Sequence, residues 1–475
     1  MTERDKSLQR TALLVSTMAS FLTPFMASGL NVAMPVIAKE FSLSAVALGW
    51  VPTSYMLAAA MFLVPFGRLA DLVGRKRIFA AGVAVFGIGA LLSALAPNGV
   101  SFIASRAVHG IGGAMIFGTG IAILTSVFPA RRRGHALGIN TAAVYVGLSS
   151  GPVLGGFLTQ NLGWRSVFWA TLFLALLVLL FTSLKLKGEW AEARGERFDG
   201  LGSLAYGVGL ILLMFGFSRL PSLFGLSLTA AGLAALGGFV LIENRVASPV
   251  FDLRLFRGNR IFAFSNLAAL INYSATSAVS FLVSLYLQYI KGLPPQKAGL
   301  VLVAQPVVMA VCAPFAGRLS DKVEPRVLAS LGMGFTSLGL ALFIFLAPGT
   351  PFLFVYGGLL LLGLGFGLFS SPNMNAIMGS VERRHYGLAA ASVGTMRLSG
   401  QMFSAGITMM IFALFMGRVP IEPSVYPLFL RSMRTAFTLF ALFCAAGIFA
   451  SLARGNRPSP PSGRTAPLEM PAPRL

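Results

Sequence analysis

The chain has 475 residues, 56% of them hydrophobic and only 11% charged, with a mean hydropathy of +0.79. This excludes a soluble globular protein and defines a polytopic membrane protein. The formal charge of +22 raises nucleic acid as a partner, but the placement of the basic residues argues against it.

Counting about 20 apolar residues per crossing, spans are expected at 11–37, 46–66, 78–96, 102–128, 136–158 and 167–184. A mixed-charge stretch, 185–199, reads as a solvated linker. Two further spans follow at 201–217 and 226–242, then a second linker, 243–260. Six more are expected at 262–290, 298–316, 327–347, 352–378, 387–416 and 435–452. The first apolar run continues without a processing site, so it is read as a span that stays.

The fold class is therefore an all-α membrane protein with fourteen transmembrane helices. Its domains are a six-helix bundle at 1–187, an inserted pair with its linkers at 188–259, a second six-helix bundle at 260–453 and a disordered tail at 454–475. With the N-terminus inside, 27 of the 37 Lys/Arg fall in cytoplasmic segments, 8 outside and 2 within spans. That asymmetry places both termini in the cytoplasm and makes the basic charge an insertion signal. Cys312 and Cys444 lie apart in spans, so neither a disulfide framework nor a metal site is expected.

One stretch occurs twice. GRLADLVGRKR (Gly67 to Arg77) returns 250 positions later as GRLSDKVEPR (Gly317 to Arg326), each time after the second span of a six-span set. The loop after the fourth span also recurs, ARRRGHALG at 130–138 against VERRHYGLA at 381–389. Two related halves follow from this register. In the first copy Asp71 has Arg68, Arg75, Lys76 and Arg77 as neighbours, and Gly67 and Gly74 allow a tight turn. The second copy carries Gly317, Arg318, Asp321 and Arg326 but replaces the turn with Glu324 and Pro325.

These pieces resemble the major facilitator superfamily, and within it the fourteen-span drug/proton antiporter branch. The loop from Gly67 to Arg77 is similar to the signature between spans two and three. Arg106 to Gly110 is similar to an R-x-x-Q-G element, with His109 in place of glutamine. Gly151, Pro152, Gly155 and Gly156 are similar to the GP-x-x-GG element of antiporters, and Asn31 to Pro35 to the end of a first-span signature. That signature begins with an aspartate five positions before the asparagine; here the position is Met26. The resemblance implies alternating-access transport of amphipathic small molecules, multidrug-type efflux and coupling to protons. It also implies loops that latch the two halves at the cytoplasmic face. The expected setting is the cell (inner or plasma) membrane, with a monomer, no cofactor and no enzymatic activity.

Spacing alone supplies a candidate cavity. Polar residues fall on single faces of span one (Ser16, Ser20, Thr23, Asn31), span nine (Asn266, Tyr273, Ser277, Ser280, Ser284) and span thirteen (Arg397, Gln401, Ser404, Thr408). Such faces avoid lipid and line either helix contacts or a wet cavity. Arg106 and Arg397 are the two bases inside spans, where each costs roughly 2.5 to 3.5 kcal/mol on insertion scales, so function is the default expectation. For Arg106 snorkelling to the interface is the alternative. His109 and Arg106 are the candidates for proton coupling, and two readings stand for His109: the carrier of a coupled proton, or a histidine hydrogen-bonded where glutamine is usual. All fifteen acids fall in loops, termini or span ends, which favours neutral or anionic substrates over cations. Proton-independent exchange, or uptake of an organic anion, is the rival.

Overall fold

The computed structural model describes residues 3–191, 199–246, 254–320, 322–382 and 386–455. Among them, fourteen helices are long and apolar enough to cross a membrane. The first bundle holds span 1 (Lys6–Glu40), span 2 (Ala45–Val73), span 3 (Arg75–Ala94), span 4 (Gly99–Val127), span 5 (Arg132–Leu162) and span 6 (Arg165–Lys185). The inserted pair is span 7 (Gly200–Arg219) and span 8 (Leu223–Glu243). The second bundle holds span 9 (Arg260–Ile290), span 10 (Pro295–Leu319), span 11 (Pro325–Phe343), span 12 (Phe352–Gly379), span 13 (Leu388–Phe415) and span 14 (Pro423–Ala453).

The bundles pair their helices by one scheme. Span 1 packs on spans 5 and 6, span 2 on 4, and span 3 on 4 and 6; span 9 packs on 13 and 14, span 10 on 12, and span 11 on 12 and 14. The pseudo-symmetry read from the repeated loops is thus a symmetry of packing. At the seam, span 2 meets span 13, span 5 meets span 10, and span 1 meets span 9. Span 7 covers one side of the seam, touching both span 2 and span 13. Met61 presses there on Gly207, and Met214 on Gly406.

Sequence and structure differ in the start of span 14, at Pro423 rather than 435, in a turn at Val303 that divides span 10, and at three further places. Span 9 is not one helix but Arg260–Thr276, Val279–Leu285 and a π turn, Tyr286–Ile290. The N–H of Ala278, at the break, donates to Ser404 Oγ of span 13 at 2.9 Å, which satisfies a backbone group that lipid could not. Second, the linker after span 6 is not simply solvated: Glu189 and Trp190 dock on the Gly74 turn. Third, Arg454, counted with the tail from sequence, is buried at 2% exposure and belongs to the second bundle. The remaining tail, 456–475, lies outside the described residues.

Candidate functional site

Arg397 is half-buried on span 13 and reaches across the seam to span 4, its guanidinium 4.6 Å from the centre of the Phe117 ring. Three residues along the same helix, Gly400 packs on Tyr273, whose Cβ would lie 2.8 Å from a Cβ there. Tyr273 on span 9 stands edge-on to Phe366 of span 12, centroids 5.4 Å apart. Tyr145 on span 5 shares a 3.2 Å hydrogen bond with Ser370 of span 12. Gln401 lies one turn beyond Arg397, also half-buried. Helices of both bundles thus bring one cation, aromatic faces and hydroxyls together beside the broken segment of span 9. Such a place can hold a planar or apolar body by stacking and a negative or polar group by charge-assisted hydrogen bonds.

The second intramembrane arginine is elsewhere. Arg106 is 1% and His109 0% exposed, inside the first bundle among spans 1, 2, 4 and 6. Arg106 Nη1 lies 2.9 Å from His109 Nδ1 and 3.3 Å from Met26 Sδ. The Tyr55 ring centre is 4.9 Å from the guanidinium. Arginine has only donors, so His109 Nδ1 accepts and the ring hydrogen sits on Nε2. Phe86 stands edge-on to the imidazole, centroids 3.9 Å apart. Arg106 Nε and His109 Nε2 are buried without a hydrogen-bond partner. The burial also answers the snorkelling alternative: Arg106 points inward.

Asn266 is fully buried near the motif-side end of span 9, its Nδ2 donating to Phe262 O at 2.9 Å. Asn31 stands at the opposite face, where its carbonyl accepts from Ser284 Oγ at 2.7 Å and the next carbonyl, of Val32, from Gln288 Nε2 at 2.9 Å. The structure therefore brings Tyr273, Arg397 and Gln401 together and sets Arg106, Asn31 and Asn266 apart from them. On span 1, Ser16 bonds Gly120 O within the first bundle at 3.3 Å, a helix contact.

At that opposite face the bundles close. Gly151 and Gly155 leave room for span 1: a Cβ at Gly151 would lie 2.7 Å from Phe25 O, and one at Gly155 2.5 Å from Gly29 Cα. The other side of the same helix meets the second bundle, where a Cβ at Gly156 would lie 2.7 Å from Pro295 O and the Pro152 carbonyl abuts Gly299. The GP-x-x-GG element thus packs backbone against backbone on both sides. Ala45 N–H donates to Val419 O at 2.8 Å, and Gln160 accepts from Gln296 N–H at 3.2 Å, both across the seam.

At the motif face Gly74, with φ +133°, ends span 2 and starts span 3, a backbone conformation that favours glycine. Asp71 accepts from Arg75 Nε at 2.8 Å, and Arg75 Nη1 reaches Ser126 Oγ of span 4 at 2.5 Å. Both partners belong to the first bundle. Glu189 caps span 3: its carboxylate accepts from Lys76 N–H at 2.8 Å and Arg77 N–H at 3.2 Å. Arg75 N–H donates to Trp190 O at 2.8 Å. A carboxylate at a helix N-terminus meets free N–H groups and the positive end of the dipole. Sequence reasoning missed this anchor because its partners are far apart in the chain.

The second loop is built otherwise. Arg326 pairs with Glu324 at 2.6 Å, Ser320 receives Asn375 Nδ2 at 2.5 Å, and Arg318 is exposed. Asp321 lies outside the described residues. Nearby, Arg454 ties spans 9, 12 and 14, donating to Ser265 Oγ at 3.2 Å, Asn373 Oδ1 at 3.1 Å and Ser451 O at 2.7 Å. Burial, and then the charge of Arg326, pushes the Arg454 guanidinium down to about 10.

Two like-paired six-helix bundles that meet at a charged, aromatic mid-depth site define a membrane carrier of small molecules, and the chain is a transporter rather than an enzyme. It belongs to the major facilitator superfamily, whose profile matches residues 17–405 and 265–474. It is 31% identical over 388 residues to the riboflavin transporter RibZ of Clostridioides difficile (strain 630), covering 81% of this chain and 84% of that one. It is 33% identical over 416 residues to the cephamycin export protein CmcT of Amycolatopsis lactamdurans, covering 85% of each. In fold it is similar to a bacterial homologue of the human lysosomal transporter Spinster in its inward-facing, unoccupied conformation. There the TM-score is 0.69 at 17% identity, covering 96% of this chain and 98% of that one.

Proposed function

We propose that the protein exports neutral or anionic amphipathic organic compounds across the cell membrane by alternating access about the Arg397 site. The observation that carries this reading is the Arg397 guanidinium set against Phe117 across the seam, with Tyr273 of span 9 packed on Gly400 of the same helix as Arg397. A positive, aromatic-walled site attracts anions and polarisable rings and repels cations. The excess of Lys/Arg in segments on the motif side supports a cytoplasmic motif face and cytoplasmic termini. Export is supported by the GP-x-x-GG element and by the likeness to an export protein. The test is flux through purified protein in liposomes, against anionic, neutral and cationic amphiphiles. Anionic and neutral probes are expected to move, and ethidium is not. Ethidium transport abolished by Arg397→Ala would overturn the charge preference.

A second reading concerns the driving force. Met26 stands where the resemblance places an aspartate, and Arg106 already occupies His109 Nδ1. A proton there would remove the acceptor and set two cations side by side. This favours exchange or uniport that is independent of protons. An imposed pH gradient is then expected to leave flux unchanged. Gradient-driven flux that disappears in His109→Gln would return the proton to this pair.

A further inference from the structure

The side of the seam opposite the inserted pair is not covered. Along it runs a groove of about 830 Å³ between spans 5 and 10, within the size range of small-molecule sites. Span 5 contributes Gly138, Thr141, Ala142, Tyr145, Ser149 and Leu154 among others, a stripe at helical spacing. At 1.5 Å per residue the stretch from Gly138 to Leu154 is about 24 Å long. Span 10 contributes the small Ala310 and Ala313. The apolar side chains of Val146, Val307, Val311 and Phe315 are 46% to 65% exposed, and in a bilayer that exposure faces acyl chains rather than water. The groove is stopped at one end, where Pro152 abuts Gly299 and Gly156 meets Pro295. Toward the motif face it stays open, since a Cβ at Gly138 would meet nothing within 4 Å. Tyr145 lines the groove and shares a hydrogen bond with Ser370 of span 12, across the same seam that holds Arg397.

A long apolar slot open to lipid, leading to a cation, fits one chemistry. We propose that this groove is a lateral entry and binding site for a single-chain anionic amphiphile, with its tail along span 5 and its head at Tyr145 and Arg397. The inference rests on the transport reading above and adds the route and the shape of the substrate. Complementarity of charge selects the head, and apolar burial along the slot holds the tail.

The test uses the full chain in liposomes, carrying Thr141→Cys or Ser149→Cys in a Cys312→Ala background. Both positions line the groove, and each reporter is expected to react with a maleimide when no amphiphile is present. Dodecanoate is expected to slow labelling about tenfold, and dodecyltrimethylammonium, with the same tail, much less. Arg397→Ala is expected to erase the difference between the two. Equal slowing by both amphiphiles, no slowing by either, or failure of both reporters to label at all would overturn the proposal. Labelling needs no turnover. Protection without flux would therefore remove only the transport reading, and flux without protection would remove only the groove.

Discussion

Arg106 and Arg397, the two arginines read from the sequence as lying within spans, differ in what surrounds them. Arg106 is enclosed by its own bundle and bonded to His109 and Met26, whereas Arg397 stands half-buried in the seam and stacks on a ring of the opposite bundle. Both are costly charges without an acid beside them. Of the two, Arg397 sits where both bundles contribute and where the packing leaves it reachable, which is why the proposed site is built on it and not on Arg106.

Five substitutions bear on these contrasts. Gly151→Val, inside the closed packing of spans 1 and 5, is expected to cost about 3 kcal/mol or more by overpacking, read as lost yield and lowered thermal stability. Gly138→Val, in the open part of the same helix, is expected to fold normally, and equal damage from both would break the distinction. Arg397→Ala is expected to raise KM for an anionic probe about thirtyfold, roughly 2 kcal/mol, at normal expression. Arg106→Met is expected to leave KM within about twofold and to raise stability by about 1 kcal/mol, because an apolar side chain replaces a cation with an unpartnered buried nitrogen. A KM change equal to that of Arg397→Ala would mean that Arg106 also meets substrate. The smallest effect is expected from Glu189→Gln, a loss of about 1 kcal/mol in thermal stability as the charged cap of span 3 becomes neutral.

The spans, the inserted pair and the repeated loops were legible because each is written in local chemistry: apolar length, basic flanks and a motif repeated in register. Arg397 was legible because a charge in an apolar run stands out. Its company was not. Phe117, Tyr145, Phe366 and Ser370 are ordinary members of apolar helices, and only the tertiary arrangement brings them to one point. Polar stripes misled in part, since Ser16 and Asn266 bond within their own bundles while Ser404 serves the break in span 9. That break carries neither proline nor a glycine pair, so the sequence offered no breaker to announce it. Glu189 was hidden for another reason: its mixed-charge neighbourhood resembles any solvated linker, and its partners lie over a hundred positions upstream.

The closures at the two faces are made of different materials. Opposite the motif loops, Gly156, Pro152, Pro295 and Gly299 seal the seam by backbone contact, with neutral hydrogen bonds from Ser284, Gln288 and Gln296 around them. The motif loops also carry ion pairs, Asp71 with Arg75 and Glu324 with Arg326, each within one loop and one bundle. Dissolved salt screens exposed ion pairs and leaves dispersion and neutral hydrogen bonds nearly untouched. Ionic strength therefore acts on the shape of the motif loops and hardly on the glycine-packed face.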